Sequence, residues 1–311
     1  MALTVLAAVV VGALIAAQSR INSELARSLS DGYLASTISF GSGLLILLCA
    51  ILVFKPGRHG MARVWSSARR GEIPWWHLAG GTAGALFVLS QGLSGAVLGV
   101  ALFTVAVVCG QTLSGLILDR RGIGTTPPAP FTVTRVAGTL LALAAVGLAL
   151  SSQFALSTPA WVLILPFLSG LVISVQQALN GQVRVVAQSA LAATFLNFAV
   201  GTTVLVIACI IHELFVGLPS QLPSNPLLYL GGAIGVVFIG CSVVLVRISG
   251  VLLLGLGSVA GQLVASLVLN FMQPLQGQTI AATTITGTLL TLVAVGIAAV
   301  PSRALGRRSS R

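Results

Sequence analysis

At 311 residues, with 56% hydrophobic and 7% charged residues and a mean hydropathy of +1.06, the chain lies outside soluble globular composition and reads as an integral membrane protein. Sixteen basic against five acidic residues give a net charge of +11. In a soluble protein that would suggest nucleic acid, but uneven charge across a membrane and attraction to anionic lipid explain it here, and no nucleic-acid module is present. Cys49, Cys109, Cys209 and Cys241 all fall in apolar stretches without metal-ligand spacing, so neither a disulfide framework nor a cysteine metal site is expected.

The first apolar stretch, 3–26, contains Ala16-Ala17-Gln18-Ser19, which could pass for a leader cleavage site. It has no basic flank, and an internal twin lies at 170–180, so it is read as the first membrane helix. Others follow at 33–54, 75–95, 97–118 and 132–151, then at 160–181, 190–211, 227–246, 251–272 and 279–300. Each is near the ~20 residues that cross a ~30 Å hydrocarbon core as a helix, which predicts ten. The polar stretch 55–74 carries five basic residues and Trp65, ahead of Trp75-Trp76-His77. It suggests a connector with a short helix on the membrane surface, its tryptophans in the interfacial belt. Its counterpart at 212–226 is shorter and rich in Pro, Ser and Asn.

The chain is written twice. Gly12, Gln18, Asn22, Ala35, Phe40 and Gly43 recur 158 residues later as Gly170, Gln176, Asn180, Ala193, Phe198 and Gly201. Gly80, Gly81, Gly84, Gly99, Gly110 and Gln111 recur 151 residues later as Gly231, Gly232, Gly235, Gly250, Gly261 and Gln262. This divides the chain into a first repeat, 1–151, a linker, 152–159, a second repeat, 160–301, and a basic tail, 302–311. Five spans in each half make the halves cross in opposite senses, the inverted-repeat plan of secondary transporters. With the N-terminus in the cytoplasm, fourteen of the sixteen basic residues fall inside and only Arg20 and Arg27 outside, which puts both termini and the tail in the cytoplasm and the linker outside.

Candidate chemistry rests on amides. Gln18 and Asn22 share one face of the first helix, and Gln176 and Asn180 one face of the sixth. Amides in hydrocarbon need partners, so both pairs face protein or water, either as interhelical glue or as lining of a solute path. Gln111 and Gln262 lie twelve residues past Gly99 and Gly250, ~18 Å into the bilayer, close to the midplane where inverted-repeat transporters hold their substrates. Those two are the first candidates for solute contact. Glu24 is the one candidate for proton coupling, although its spacing from Arg20 and Arg27 favours a structural ion pair. Gly80-xxx-Gly84 and Gly231-xxx-Gly235 read as close-packing motifs. Gly255-Leu-Gly257-Ser-Val-Ala260 matches a dinucleotide fingerprint only as a string, without a strand before it, and no cofactor is implied. The histidines, His59, His77 and His212, are scattered, and no zinc pattern, paired-carboxylate site or nucleophile-base arrangement can be assembled.

These residues resemble the drug/metabolite transporter superfamily, and within it the YdcZ-like bacterial inner-membrane proteins. The likeness rests on Gly12 through Gln18-Ser-Arg-Ile-Asn22-Ser, on Ser39-Phe40-Gly41-Ser-Gly43, and on Trp75-Trp76-His77-Leu-Ala-Gly80-Gly81-Thr-Ala-Gly84. It continues through Leu98-Gly99-Val100-Ala101, Gly110-Gln111, Ser114, Asp119 and Arg135-Val-Ala-Gly138. The second half departs at Leu227-Leu228-Tyr229 and at Asn270, where the tryptophan pair and the acid are missing. The resemblance implies an all-α, ten-helix exporter of the EamA-like type in the bacterial inner membrane, with a central cavity. The expected function is export of a small organic solute, uncharged or zwitterionic rather than strongly cationic, with membrane lipid as the other partner and a homodimer left open. A membrane-embedded enzyme, a lipid flippase and an accessory membrane subunit remain the alternatives.

Overall fold

The computed structural model describes residues 2–122, 131–155, 158–219, 221–272 and 281–300. The basic tail, residues 156 and 157 of the linker, and the side chains of Asp119 and Arg247 lie outside the described residues. The chain is an all-α bundle: α1 (Ala2–Leu29), α2 (Gly32–Val53), α3 (Lys55–Arg69), α4 (Gly80–Ser90), α5 (Ala96–Leu98), α6 (Val100–Arg121) and α7 (Val133–Ala155) form the first half. In the second half come α8 (Ala160–Ala187), α9 (Ala190–Val216), α10 (Gly231–Met272) and α11 (Ala282–Ala299). Among the described residues nine helical stretches are long and apolar enough to span a bilayer, and Ala282–Ala298 is a shorter tenth.

The spans expected at 227–246 and 251–272 are present as Pro226–Leu245 and Leu254–Met272, and the backbone stays locally helical between them, so that both belong to α10, of 42 residues. It is not straight, however. Gly235 lies against Gln18 and Ser258 against Gly12; these α1 positions are ~9 Å apart along the axis, whereas the intervening stretch of α10, if straight, would cover ~35 Å. The chain therefore doubles back inside α10. In the first half the matching reversal falls at Gly99, whose φ of 78° suits only glycine, and a π-helical turn, Gln91–Gly95, precedes it. The helix α9 also runs five residues past its expected end, to Val216.

Both halves build their first hairpin with the same device. Ser30 and its repeat partner Gln188 take left-handed backbone angles. The next residue then caps the following helix, Asp31 accepting from Tyr33 N and Leu34 N and Ser189 from Ala192 N, which satisfies amides the helix cannot.

The halves meet through glycines. A Cβ on Gly12 would stand 1.9 Å from Ser258 O and one on Gly261 2.0 Å from Val9 O; on Gly170 it would be 2.0 Å from Val107 O and on Gly110 2.1 Å from Phe167 O. The α1–α10 and α6–α8 crossings are thus one contact seen twice, possible only because small residues let backbones touch. A second such pair joins Gly81 to Asn197 O and Gly232 to Ser39 O. Where the halves meet, Phe40 stacks on its own repeat partner Phe198 with centroids 4.7 Å apart. The amphipathic α3 breaks the symmetry. It seats Gly57 and Gly60 on Leu191 and Ala192, and Arg63 donates to Ala187 O through Nε at 3.0 Å and Nη2 at 2.6 Å. It therefore covers the α8–α9 turn and defines an arginine-rich end of the bundle.

Candidate functional site

The duplicated amides reach across the repeat boundary, and the glycine motifs exist to receive them. A Cβ on Gly84 would lie 2.3 Å from Gln176 Nε2 and one on Gly235 2.5 Å from Gln18 Nε2. Gly80 and Gly231 face Asn180 Oδ1 and Asn22 Oδ1 in the same way. Gln18 Nε2 donates to Gly231 O at 3.0 Å, while Gln176 Nε2 and Asn180 Nδ2 both donate to Asn197 Oδ1, at 2.9 and 3.2 Å. Interhelical bonds of this kind in membranes contribute roughly 0.6 kcal/mol each, up to about 2.

Two adjoining cavities lie between the halves. The larger, about 130 Å³, sits among α6, α7, α8 and α10, with Gln111, Thr139, Ser174, Gln177 and Ser258 in its wall. The smaller, about 30 Å³, shares Gln111 and Gln177 and is lined by Gln176, Asn180 and the repeat-related pairs Ile15/Ile173 and Phe87/Phe238. Gln111 is therefore the hinge of both, and its Oε1 is buried without a hydrogen-bond partner. A polar atom in that state is costly unless something bound there donates to it. The larger wall includes Arg135, and no carboxylate is among its described residues.

The direction in which the cavities open follows from the helix ends. Val107 meets Gly170 and Ser174 donates to Gln111 O at 3.2 Å, so α6 and α8 run the same way and finish at the same end, the one α3 covers. The larger wall reaches Leu118 near the end of α6, Arg135 near the start of α7 and Ala298 near the end of α11. The cavities thus extend toward the arginine-rich end. At the far end the repeat-related positions are shut. Ser19, Asn22, Ser23 and Gln91 are all at most 5% exposed, whereas their counterparts Gln177, Asn180, Gly181 and Ser242 all line the smaller cavity.

Of the six amides anticipated as solute contacts, the structure brings Gln111, Gln176 and Asn180 to the cavities. Gln18 and Asn22 are packed into the closed end, and Gln262 is 2% exposed beside Gly12, in the wall of neither cavity. Glu24 sits half-exposed between Arg20 and Arg27, at 3.6 and 3.4 Å, away from both cavities. One constellation was missed. Asp31, His212 and Glu213 bring one carboxylate or imidazole atom each to within 4.8 Å of one another, so a paired-carboxylate cluster does exist at the far end of the α2–α9 junction. Tyr33 stacks on His212 there at 4.4 Å. Nothing in the sequence could have paired residues so distant: Asp31 caps the start of α2 and His212 lies in the last turns of α9.

The family model described as "Putative inner membrane exporter, YdcZ" matches residues 3–148 and again 161–297, once per half. None of the curated proteins matches the chain. A solved structure, titled only "Crystal structure of protein", superposes with a TM-score of 0.60 at 18% identity, covering 96% of this chain and 99% of its own, a likeness of fold.

Proposed function

The chain belongs to the YdcZ family of the drug/metabolite transporters, a multi-pass inner-membrane group, and from that premise we propose that it exports a small organic solute by alternating access of its two inverted halves. The observation that carries this reading is the state of the two ends. One set of repeat-related positions is sealed at the far end and the same set, in the other half, lines a cavity at the arginine-rich end. Two halves of one design held in opposite states describe a carrier caught facing one way. With arginines on the cytoplasmic side, the cavity takes solute from inside, as export requires.

The cavity sets the solute's scale and chemistry. Its volume of about 130 Å³ is close to the ~150 Å³ site that accepts benzene in an engineered core. Amide and hydroxyl groups supply the hydrogen bonds, with Gln111 Oε1 waiting for a donor. Among the described residues the wall offers no carboxylate to offset a cation. These features favour a neutral or zwitterionic molecule over a cationic drug.

The test is a ligand-dependent thermal-shift screen of purified protein against amines, amino acids, sugars and nucleosides, with Gln111→Ala alongside. A solute that binds only the folded state stabilises it by about 2.7 kcal/mol at a hundred times its dissociation constant. The reading expects a hit that Gln111→Ala loses. A hit that Gln111→Ala retains in full removes this cavity as the binding site.

A further inference from the structure

We propose that Gln91 is the latch that holds the far end of the solute path shut, and that this latch is not repeated at the arginine-rich end because serine stands at the matching position, Ser242. The proposal rests on the alternating-access reading above and names the residue that regulates it. Gln91 is fully buried in the π-helical turn, a local widening of the helix that recurs at functional positions. Both polar atoms of its side chain, and its backbone carbonyl, are turned on α1. Its Oε1 accepts from Asn22 Nδ2 at 2.6 Å, its Nε2 donates to Ser19 Oγ at 2.9 Å, and its backbone carbonyl accepts from Ser23 Oγ at 2.9 Å. Positions 19, 22 and 23 lie on one face of α1, so a single side chain and its own carbonyl tie down a full turn of that helix.

The matching face at the other end is Gln177, Asn180 and Gly181, and what confronts it is Ser242. That hydroxyl donates to Phe238 O within its own helix, at 2.7 Å, and is too short to bridge to α8. Asn180 turns instead to Asn197 on α9. The arginine-rich end is tied differently, by the part-buried Arg184 guanidinium donating to Val243 O, so the three fully buried bonds of Gln91 are particular to the far end, and they favour the arm in which that end is closed. A carrier of this design rests with its cavity facing the arginine-rich end and pays for each turnover by opening Gln91.

The experiment uses the full chain with all four cysteines replaced by alanine and one reporter cysteine restored, either Ser94→Cys in the closed end or Gln177→Cys in the cavity. Proteoliposomes and inverted vesicles are exposed to a membrane-impermeant maleimide, and labelling rates are read with and without Gln91→Ser. The proposal expects Ser94→Cys to label from the far side at least about tenfold faster in the Gln91→Ser background, and Gln177→Cys to label more slowly from the arginine-rich side. The reciprocal change, Ser242→Gln, gives α10 a side chain long enough to reach α8. It is expected to slow Gln177→Cys labelling on its own, and it decides the matter if Gln91→Ser does not fold. Unchanged rates in both backgrounds, in folded protein, overturn the latch and leave the transport reading standing. A Gln177→Cys reporter inert from the arginine-rich side in the parent protein overturns the transport reading, and the latch with it.

Discussion

The four glycines at the α1–α10 and α6–α8 crossings make the sharpest quantitative demand on the fold. Consider Gly170→Ala. The new methyl would sit 2.0 Å from Val107 O, and comfortable contact begins near 3.5 Å, so α6 and α8 must part by more than about 1 Å. Overpacking of this kind costs about 1–3 kcal/mol, and the displacement also stretches the 3.2 Å bond from Ser174 Oγ to Gln111 O, adding roughly 0.6 kcal/mol. The expected loss is about 2–4 kcal/mol, and Gly12→Ala, Gly110→Ala and Gly261→Ala should fall in the same range because the contacts are repeats of one another. Gly240→Ala is the control. A Cβ there meets nothing within 4 Å, and alanine is the better helix former by up to about 1 kcal/mol, so that variant should be neutral or stabilised. Reversible unfolding in mixed micelles, followed by circular dichroism, measures all five. Gly170→Ala as stable as Gly240→Ala would refute the argument that backbone contact at these crossings holds the halves together.

Three further outcomes follow from the geometry. Gln111→Ala should abolish the ligand-induced thermal shift, whereas Gln262→Ala, in the wall of neither cavity, should leave ligand affinity unchanged when titrated by calorimetry. Glu24→Gln should alter stability by less than about 0.5 kcal/mol, since its ion pairs are partly exposed, long at 3.4 and 3.6 Å, and local to one helix, and transport by the variant should keep the parent's pH dependence. Beyond the spans, the Arg70 hydrogen bond, aided by Ser67, holds the Glu72 carboxyl below its ordinary range. A lowered folded value means the pair's contribution is present above the unfolded glutamate range and is lost as pH falls through the folded one. Carboxyl NMR should therefore find Glu72 titrating below free glutamate, with Arg70→Gln returning it upward.

Much of the architecture was legible because close approach leaves a mark in sequence. Only glycine fits where a Cβ would stand about 2 Å from a neighbouring carbonyl, so Gly12, Gly110, Gly170 and Gly261 had to be duplicated together, and the amides that fill the space beside Gly84 and Gly235 were duplicated with them. What stayed hidden depended on asymmetry or conformation. Gln91 has a serine for a repeat partner, so comparing the halves passes over it. Gln262 was weighted equally with Gln111 because the two are repeat-related, yet a carrier facing one way exposes only one half's amide. The docking of α3 and the Asp31–His212–Glu213 cluster are tertiary encounters between distant segments, without a periodic signal to announce them. The reversal inside α10 coincides with the expected gap between spans, although the backbone stays locally helical there.

The most direct test of alternating access is a clamp on the closed end. A Cβ on Gly95 would lie 3.5 Å from Ser23 Cβ, within the span a disulfide bridges, so Ser23→Cys/Gly95→Cys in the cysteine-free chain can fasten α1 to the π-helical turn. With a solute returned by the ligand screen, the oxidised protein should still bind from the arginine-rich end but move nothing across a proteoliposome membrane, and reductant should restore transport. Unimpaired transport by fully cross-linked protein would contradict the account, because no path through the far end could then have opened.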